Sequence, residues 1–437
     1  MRILLGVHQF PPFGSGGTEQ LARWSALGLS THGHAVAIAS AVPRRHAGGD
    51  WRSAITPDVD GLDVRFLEPA TATGSLQERI VREYEDEAAG IAFGAQIDRF
   101  RPDVIHFFHL AGLTASAAAA ARERGVPYLF TASDYWYECP TVQLLLADET
   151  VCAGPREDRM NCATHLAHIR WPRLPDAGVD GLLRAGAATV GRSPLRALQG
   201  RSAALRRTLS DAAAVLAPNE FMRTRLRAFG VEEAHLRLVP YPVPDVVAPR
   251  VQTQGAARMR VVFVGTLAPS KGAHVLLEAM RLAADLDVDL DVYGEASDAD
   301  YDRRLRALAG SDRRIRFAGT FASDAFADVV NAADLLVVPS IWYENSPLVL
   351  LQALALRCPV LVADVPGLAP HVRGLQDGWT FERGNAQDLA QKLRAIANDA
   401  NAREAIRRTT HESRTMASYL ADLEAEYAKC VLQVAAQ

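Results

Sequence analysis

The chain has 437 residues, 49% of them hydrophobic and 22% charged, with a formal net charge of −4. That length exceeds one ordinary core and predicts two domains, and the slightly acidic balance argues against a nucleic-acid binder, which carries a basic domain. Five cysteines, an N-terminal apolar run too short for a signal-peptide core and no stretch of membrane-spanning length predict a cytoplasmic protein with reduced thiols.

RILLGV (2–7) is a continuous apolar run, as expected of a parallel strand covered on both faces. HQFPPFGSGG follows as a loop, and TEQLARWSALGLSTHG predicts a helix with Thr18 as N-cap and Gly33 as its stop. AVAIAS (35–40) is the next strand. DVIHFF (103–108) and VPYLFTAS (126–133) flank the alanine-rich helix AGLTASAAAAARERG, and DAAAVLAPN (211–219) leads into a helix over 220–229. Strands alternating with helices of this length mean an α/β, doubly wound sheet. After the proline-rich YPVPDVVAP (241–249) and a polar stretch, the pattern restarts. RVVFVG (260–265), VDLDVYG (288–294), RIRFAG, DLLVVPS (334–340) and PVLVAD (359–364) read as strands, with KGAHVLLEAMRLAADL a helix between the first two. The predicted division is a domain over 1–243, a second over 250–415, and a terminal helix over 416–437. Ligands of such sheets sit at the carboxyl ends of strands, and two facing sheets make a cleft. That singles out the loops 8–17, 131–138, 265–271, 294–297, 319–323 and 340–347.

In WYENSPLVLLQALALRCPV (342–360), Glu344 precedes Gln352 by eight positions. Ser346 is the predicted N-cap and Pro347 the first helical residue. The N–H groups that follow, with the helix dipole, form an anion site suited to a diphosphate. Glu344 and Gln352 are both expected to reach a ligand there; the plain alternative is a capped helix with a surface glutamate and a solvated glutamine. In VGTLAPSKGAHVLLEAM, Gly265 ends a strand and admits close approach. Lys271 opens the next helix, where a cation suits a bound anion better than it suits the helix; an ordinary surface lysine is the alternative. FGSGG (13–17) is not a dinucleotide fingerprint, yet its glycines leave room for a phosphate or sugar.

Together PPFGSGGTE, VGTLAPSKG and PSIWYENSPLVLLQAL resemble the family-four retaining glycosyltransferases of the GT-B fold, over nearly the whole chain. The resemblance implies two facing Rossmann-like domains with a cleft between them and a C-terminal helix crossing back onto the first. It also implies transfer of a hexose-type sugar from a nucleoside diphosphate sugar to a glycan, glycolipid or small-molecule acceptor, with retention and without a catalytic metal. Front-face displacement follows, in which the leaving phosphate helps deprotonate the acceptor. By the same resemblance Lys271 binds the diphosphate and Glu344 faces the donor sugar. Gly16, Gly17, Gly265, Thr266, Gly294, Gly319, Thr320, Asn345, Ser346 and Leu348 complete the donor side, with the base near Phe317–Thr320. Gln352 stands where a second acid usually holds the ribose, Ser133 where a histidine usually precedes Asp134, and Thr266 where arginine is common. These departures leave two other readings open: a weakened or inactive relative acting as a binding or scaffold protein, and a nucleotide-sugar epimerase or hydrolase of the same fold.

Two further features stand outside the motifs. Cys139, Cys152, Cys162 and His165 lie in an irregular insertion (about 134–170) and make a tetrahedral donor set for structural zinc, against packed thiols or a disulfide. PLRALQGRSAALRRTL (194–209) is a basic, leucine-bearing helix. It either rests on an anionic membrane, near a lipid-linked acceptor, or buries its leucines in the core.

Overall fold

The structure, a computed structural model, describes residues 1–14, 16–43, 59–68, 74–170, 194–244, 258–296, 298–372, 376–409 and 411–435. The predicted linker beyond residue 244, with Ser15 and Ser297 of two predicted loops, lies outside these residues. The chain forms two compact units. Unit 1 comprises Met1–Ala147, Cys152–Tyr241 and Met416–Gln437, and unit 2 comprises Asp148–Val151 and Pro242–Thr415.

Unit 1 is built on seven strands: β1 (Arg2–Val7), β2 (Ala35–Ala41), β3 (Asp63–Leu67), β4 (Val104–Phe107), β5 (Tyr128–Thr131), β6 (Ala214–Ala217) and β7 (Leu236–Leu238). They run in the order β3-β2-β1-β4-β5-β6-β7, all parallel. Helices cover both faces, so the central strands are largely apolar: Ile3, Leu5, Val7, Val104, Ile105 and Leu129 are fully buried. Unit 2 repeats the plan with β8 (Met259–Val264), β9 (Val288–Tyr293), β10 (Ile315–Gly319), β11 (Leu335–Val338), β12 (Val360–Ala363) and β13 (Gly378–Phe381). Its order is β10-β9-β8-β11-β12-β13, again all parallel. Strand order reverses between β1 and β4 and between β8 and β11. Those are the switch points where open α/β sheets bind ligands.

Some local expectations are corrected. The first helix is Gly17–Thr31 with Gly16, not Thr18, as N-cap, and its C-cap is His32, just before Gly33. The helix after β11 is Leu348–Ala355, with Pro347 in the N-cap position; Ser346 precedes it with φ 58°, so Ser346 is not the cap. The basic helix, Pro194–Ser210, buries Leu198, Leu205, Leu209 and even Arg201 in unit 1, so its apolar face is committed to the core rather than to a membrane. No described helix is long and apolar enough to cross a membrane.

The terminal helix Met416–Ala435 lies on unit 1, against helix Gly17–Thr31 and β4. Gly28 permits the approach, since a Cβ there would stand 2.4 Å from Leu420 Cδ1. Asp148–Val151, within the cysteine-bearing insertion, group with unit 2. There Glu149 accepts from Arg304 at 2.5 Å and lies 3.2 Å from His274 Nε2.

Candidate active site

In unit 2, the loops after β8 and β11 bring two of the sequence-predicted residues together. Lys271 Nζ donates to Glu344 Oε1 at 2.8 Å, Ser340 Oγ donates to the same oxygen at 2.5 Å, and the ammonium lies 5.1 Å from the centre of the Trp342 ring. Glu344 is nearly buried, its side chain 3% exposed, whereas that of Lys271 is 30% exposed. A buried carboxylate needs such partners. The lysine whose place before helix Ala273–Leu282 looked electrostatically wrong is thus answered by a carboxylate from the neighbouring strand end. Lys271 closes a single 3-10 turn, Pro269–Lys271, and Gly272 behind it takes φ 71° with Pro339 O where a Cβ would be. That close approach seats the lysine loop against the end of β11.

The other positions singled out in the sequence lie at strand ends and at the helix start of unit 2. Thr266, Gly319 and Thr320 are exposed at strand ends, and Asn345, Ser346 and Leu348 are buried at the helix start. Gly265 and Gly294 pack backbone against backbone, because a Cβ on Gly294 would meet Gly265 O. At the start of helix Leu348–Ala355 the Leu350 and Leu351 N–H groups donate to Pro347 O, and those of Leu348 and Val349 come before any intrahelical acceptor. Gln352 differs from expectation: its Nε2 donates to Leu348 O at 3.3 Å, one turn back in its own helix. The Gln352 amide is thus turned toward its own helix.

Unit 1 carries a constellation that the sequence reading missed. His109, just past β4, donates from Nε2 to Asp134 Oδ2 at 2.8 Å, while its Nδ1 accepts from Ala111 N–H at 2.9 Å. The Nε2 proton thus faces the Asp134 carboxylate. Asp134 also accepts from Trp136 N–H at 2.9 Å. Burial pushes the Asp134 carboxyl up, but His109 and the hydrogen bonds outweigh it and leave it below its ordinary value. Ser133 is turned aside, donating to Phe108 O. A histidine therefore does pair with Asp134, supplied by the adjacent strand rather than by the preceding position. The ring of His8, after β1, lies 4.3 Å from that of His109 and its Nε2 is 3.3 Å from Glu19. Burial first, then His109, lower the His8 pKa to about 3, so the ring is neutral. The only available signal was a histidine directly after each apolar run, HQF and FFHL.

Gly16 does not face open space in this arrangement. The Glu19 carboxylate occupies it: a Cβ on Gly16 would stand 2.8 Å from Glu19 Oε2, and one on Gly14 2.9 Å from Oε1. Burial raises the Glu19 carboxyl, partly offset by the backbone N–H groups it accepts.

The cysteine insertion is a correction. Cys139, Cys152, Cys162 and His165 line one cavity of about 20 Å³, the room of a single water. Each of three donors is already engaged. Cys139 Sγ pairs with Thr141 Oγ1 at 3.3 Å, Cys152 Sγ accepts from Gly154 N–H at 3.4 Å, and His165 Nε2 is 3.5 Å from Thr141 Oγ1. No group of three such side chains among the described residues is arranged to hold a metal. Burial, then the neighbouring Cys139, push the Cys162 thiol up to about 12. Nor is DADYD a metal motif: Asp298 caps helix Ala299–Ala309.

Comparison with known proteins agrees with this architecture. Residues 16–242 match the glycosyl transferase 4-like domain and residues 258–399 match glycosyl transferases group 1. The D-inositol 3-phosphate glycosyltransferase of Rhodococcus jostii (strain RHA1) is 30% identical over 192 residues, 40% of this chain and 42% of that protein. The putative colanic acid biosynthesis glycosyltransferase WcaL of Escherichia coli (strain K12) is 27% identical over 158 residues, 34% of this chain and 39% of that protein. The matches thus span about two fifths of these relatives' length. Among solved structures, Anabaena HepE in complex with UDP and glucose aligns with TM-score 0.67 and 15% identity over 98% of this chain and 99% of that one. A glycosyltransferase from Rickettsia africae ESF-5 aligns with TM-score 0.64 and 14% identity over 98% of both chains. With the first description alone covering more than half of its residues, the chain belongs to the GT-B glycosyltransferases.

Proposed function

We propose that the chain transfers a hexose-type sugar, with retention, from a nucleoside diphosphate sugar to a hydroxyl of a glycan, glycolipid or small-molecule acceptor. The observation that carries this reading is the Lys271–Glu344–Ser340 cluster at the β8/β11 switch point. Lys271 is the partly exposed cation beside a helix start, which suits the donor diphosphate. Glu344 acts by holding that ammonium and by presenting a carboxylate to the sugar hydroxyls. As the anomeric carbon–phosphate oxygen bond breaks, charge builds on the departing diphosphate, and Lys271 with the N–H groups at Leu348 stabilises it. The acceptor oxygen bonds to the anomeric carbon and its proton passes to the leaving phosphate, so no protein nucleophile and no catalytic metal are required of the chain.

Titration of the protein with UDP, GDP and ADP sugars tests the donor side. One donor is expected to bind in the micromolar range. Lys271→Ala should weaken it by about 10- to 150-fold, the loss of a charge-assisted hydrogen bond of about 1.5–3 kcal/mol. Gln352→Glu should tighten it about fivefold, since a carboxylate cannot donate to Leu348 O as the amide does and is left to accept from the ribose hydroxyls. Undiminished turnover in Lys271→Ala would overturn the assignment.

A further inference from the structure

Unit 1 contains an open-mouthed cavity of about 240 Å³ at the carboxyl ends of β1, β2 and β4, with one wall from the loop after β5. That is below the roughly 300–1,000 Å³ of pockets for drug-sized ligands, and gives room for one six-membered ring with its substituents. Its walls set His8, Gln9 and Glu83 beside Val42, Trp136 and Val142. Glu83 is the fixed polar group among them. Arg201 Nε donates to Glu83 Oε2 at 2.7 Å, the same guanidinium donates to Trp136 O at 2.5 Å, and it lies 5.1 Å from the centre of the Trp136 ring. Arg201 is 1% exposed and the Glu83 side chain 24% exposed. The arginine is therefore spent inside the wall, where it locks carboxylate and indole side by side, and the carboxylate keeps an edge toward the cavity.

A carboxylate held rigidly among aromatic and aliphatic side chains matches a hydroxylated ring. The hydroxyls donate to the carboxylate and the C–H faces pack on the apolar walls. A phosphorylated ring would bring a like charge against Glu83, which costs affinity. Among the described residues the cavity wall carries no lysine or arginine to offset that repulsion. We propose that this cavity is the acceptor subsite, and that it takes an uncharged hydroxylated ring, a sugar or cyclic polyol without phosphate, through Glu83. It rests on the transferase reading only in calling that ring the acceptor.

The test uses the full chain without donor. Methyl α-glycosides of glucose, mannose and galactose, myo-inositol and D-inositol 3-phosphate are titrated in turn by saturation-transfer NMR. Wild type is compared with Glu83→Gln and Ala111→Leu, and UDP binding is measured on the same samples. Ala111 lines the cavity and takes no part in the Glu83–Arg201 bond, so its leucine variant fills the space even where Glu83→Gln folds poorly. At least one neutral ring is expected to bind wild type, and tenfold or more weakly to both variants, with UDP binding unchanged. D-inositol 3-phosphate is expected to bind at least tenfold more weakly than myo-inositol. Equal binding of the neutral rings by the variants, tighter binding of the phosphate, or no neutral ring bound at all would each overturn the proposal. Ring binding without UDP binding would sink the donor reading and leave this site standing.

Discussion

Gly272 stands at φ 71° with Pro339 O only 1.8 Å from where a Cβ would sit, and this single position joins the lysine loop to the end of β11. Gly272→Ala should cost more than about 2 kcal/mol, from left-handed strain plus displacement of the β11 end, and should weaken donor binding as Lys271 moves. A denaturant midpoint and a donor titration on the variant check both; unchanged values would mean that the loop relaxes freely. Lys271 and Glu344 were legible because each sits in a loop directly after an apolar run. Their mutual contact was not, being made across 73 residues of sequence. The pairing of His109 with Asp134 was hidden for the same reason: the eye seeks the histidine at the neighbouring position, whereas the sheet supplies it from the adjacent strand.

Among the elements, the strands missed from the sequence are β3, β7 and β13, each at a sheet edge. An edge strand is short and only partly covered, so it lacks the unbroken apolar run that marks β1 or β11. DVRFL and LRL alternate with charge, and GWTF is broken by glycine and threonine, with its middle residues only half-buried. The terminal helix was legible as a helix, but its docking depends on a buried polar contact. His106 Nδ1 pairs with Tyr427 OH at 2.7 Å, and Nε2 with Thr131 Oγ1 at 2.7 Å, with His106 fully buried. Tyr427→Phe leaves one ring nitrogen without a partner and should cost about 1–3 kcal/mol. Hydrogen exchange in residues 416–435 should rise in that variant, and unchanged protection would count against the contact as the lock.

For the whole molecule, buried neutral histidines set an acid limit. Burial lowers His106 to about 3, and burial with His109 does the same to His8. His274 and His371 are also lowered, burial being the main cause. An unfolded histidine takes up its proton near pH 6.5 while these folded ones do not. Their contribution is therefore complete above pH 6.5 and is lost as pH falls from there toward the folded values. The loss is about 1.4 kcal/mol per unit for each strongly lowered histidine. Between pH 7.5 and 5.5, His8 and His106 together should remove about 2–3 kcal/mol of stability. Urea unfolding at the two pH values measures it, and a flat result would mean that these rings are not held neutral. By itself the sequence determined two α/β repeats, their strand ends and the loops that carry chemistry, because covered parallel strands must be apolar and the turns after them cannot be. Only the tertiary structure decided that Gln352 turns to its own helix, that Glu19 fills the glycine loop, that the cysteines pack without a metal arrangement and that Arg201 locks Glu83 beside Trp136. Those outcomes depend on which side chains meet across the sheets, a matter of distance in space that local sequence pattern does not encode.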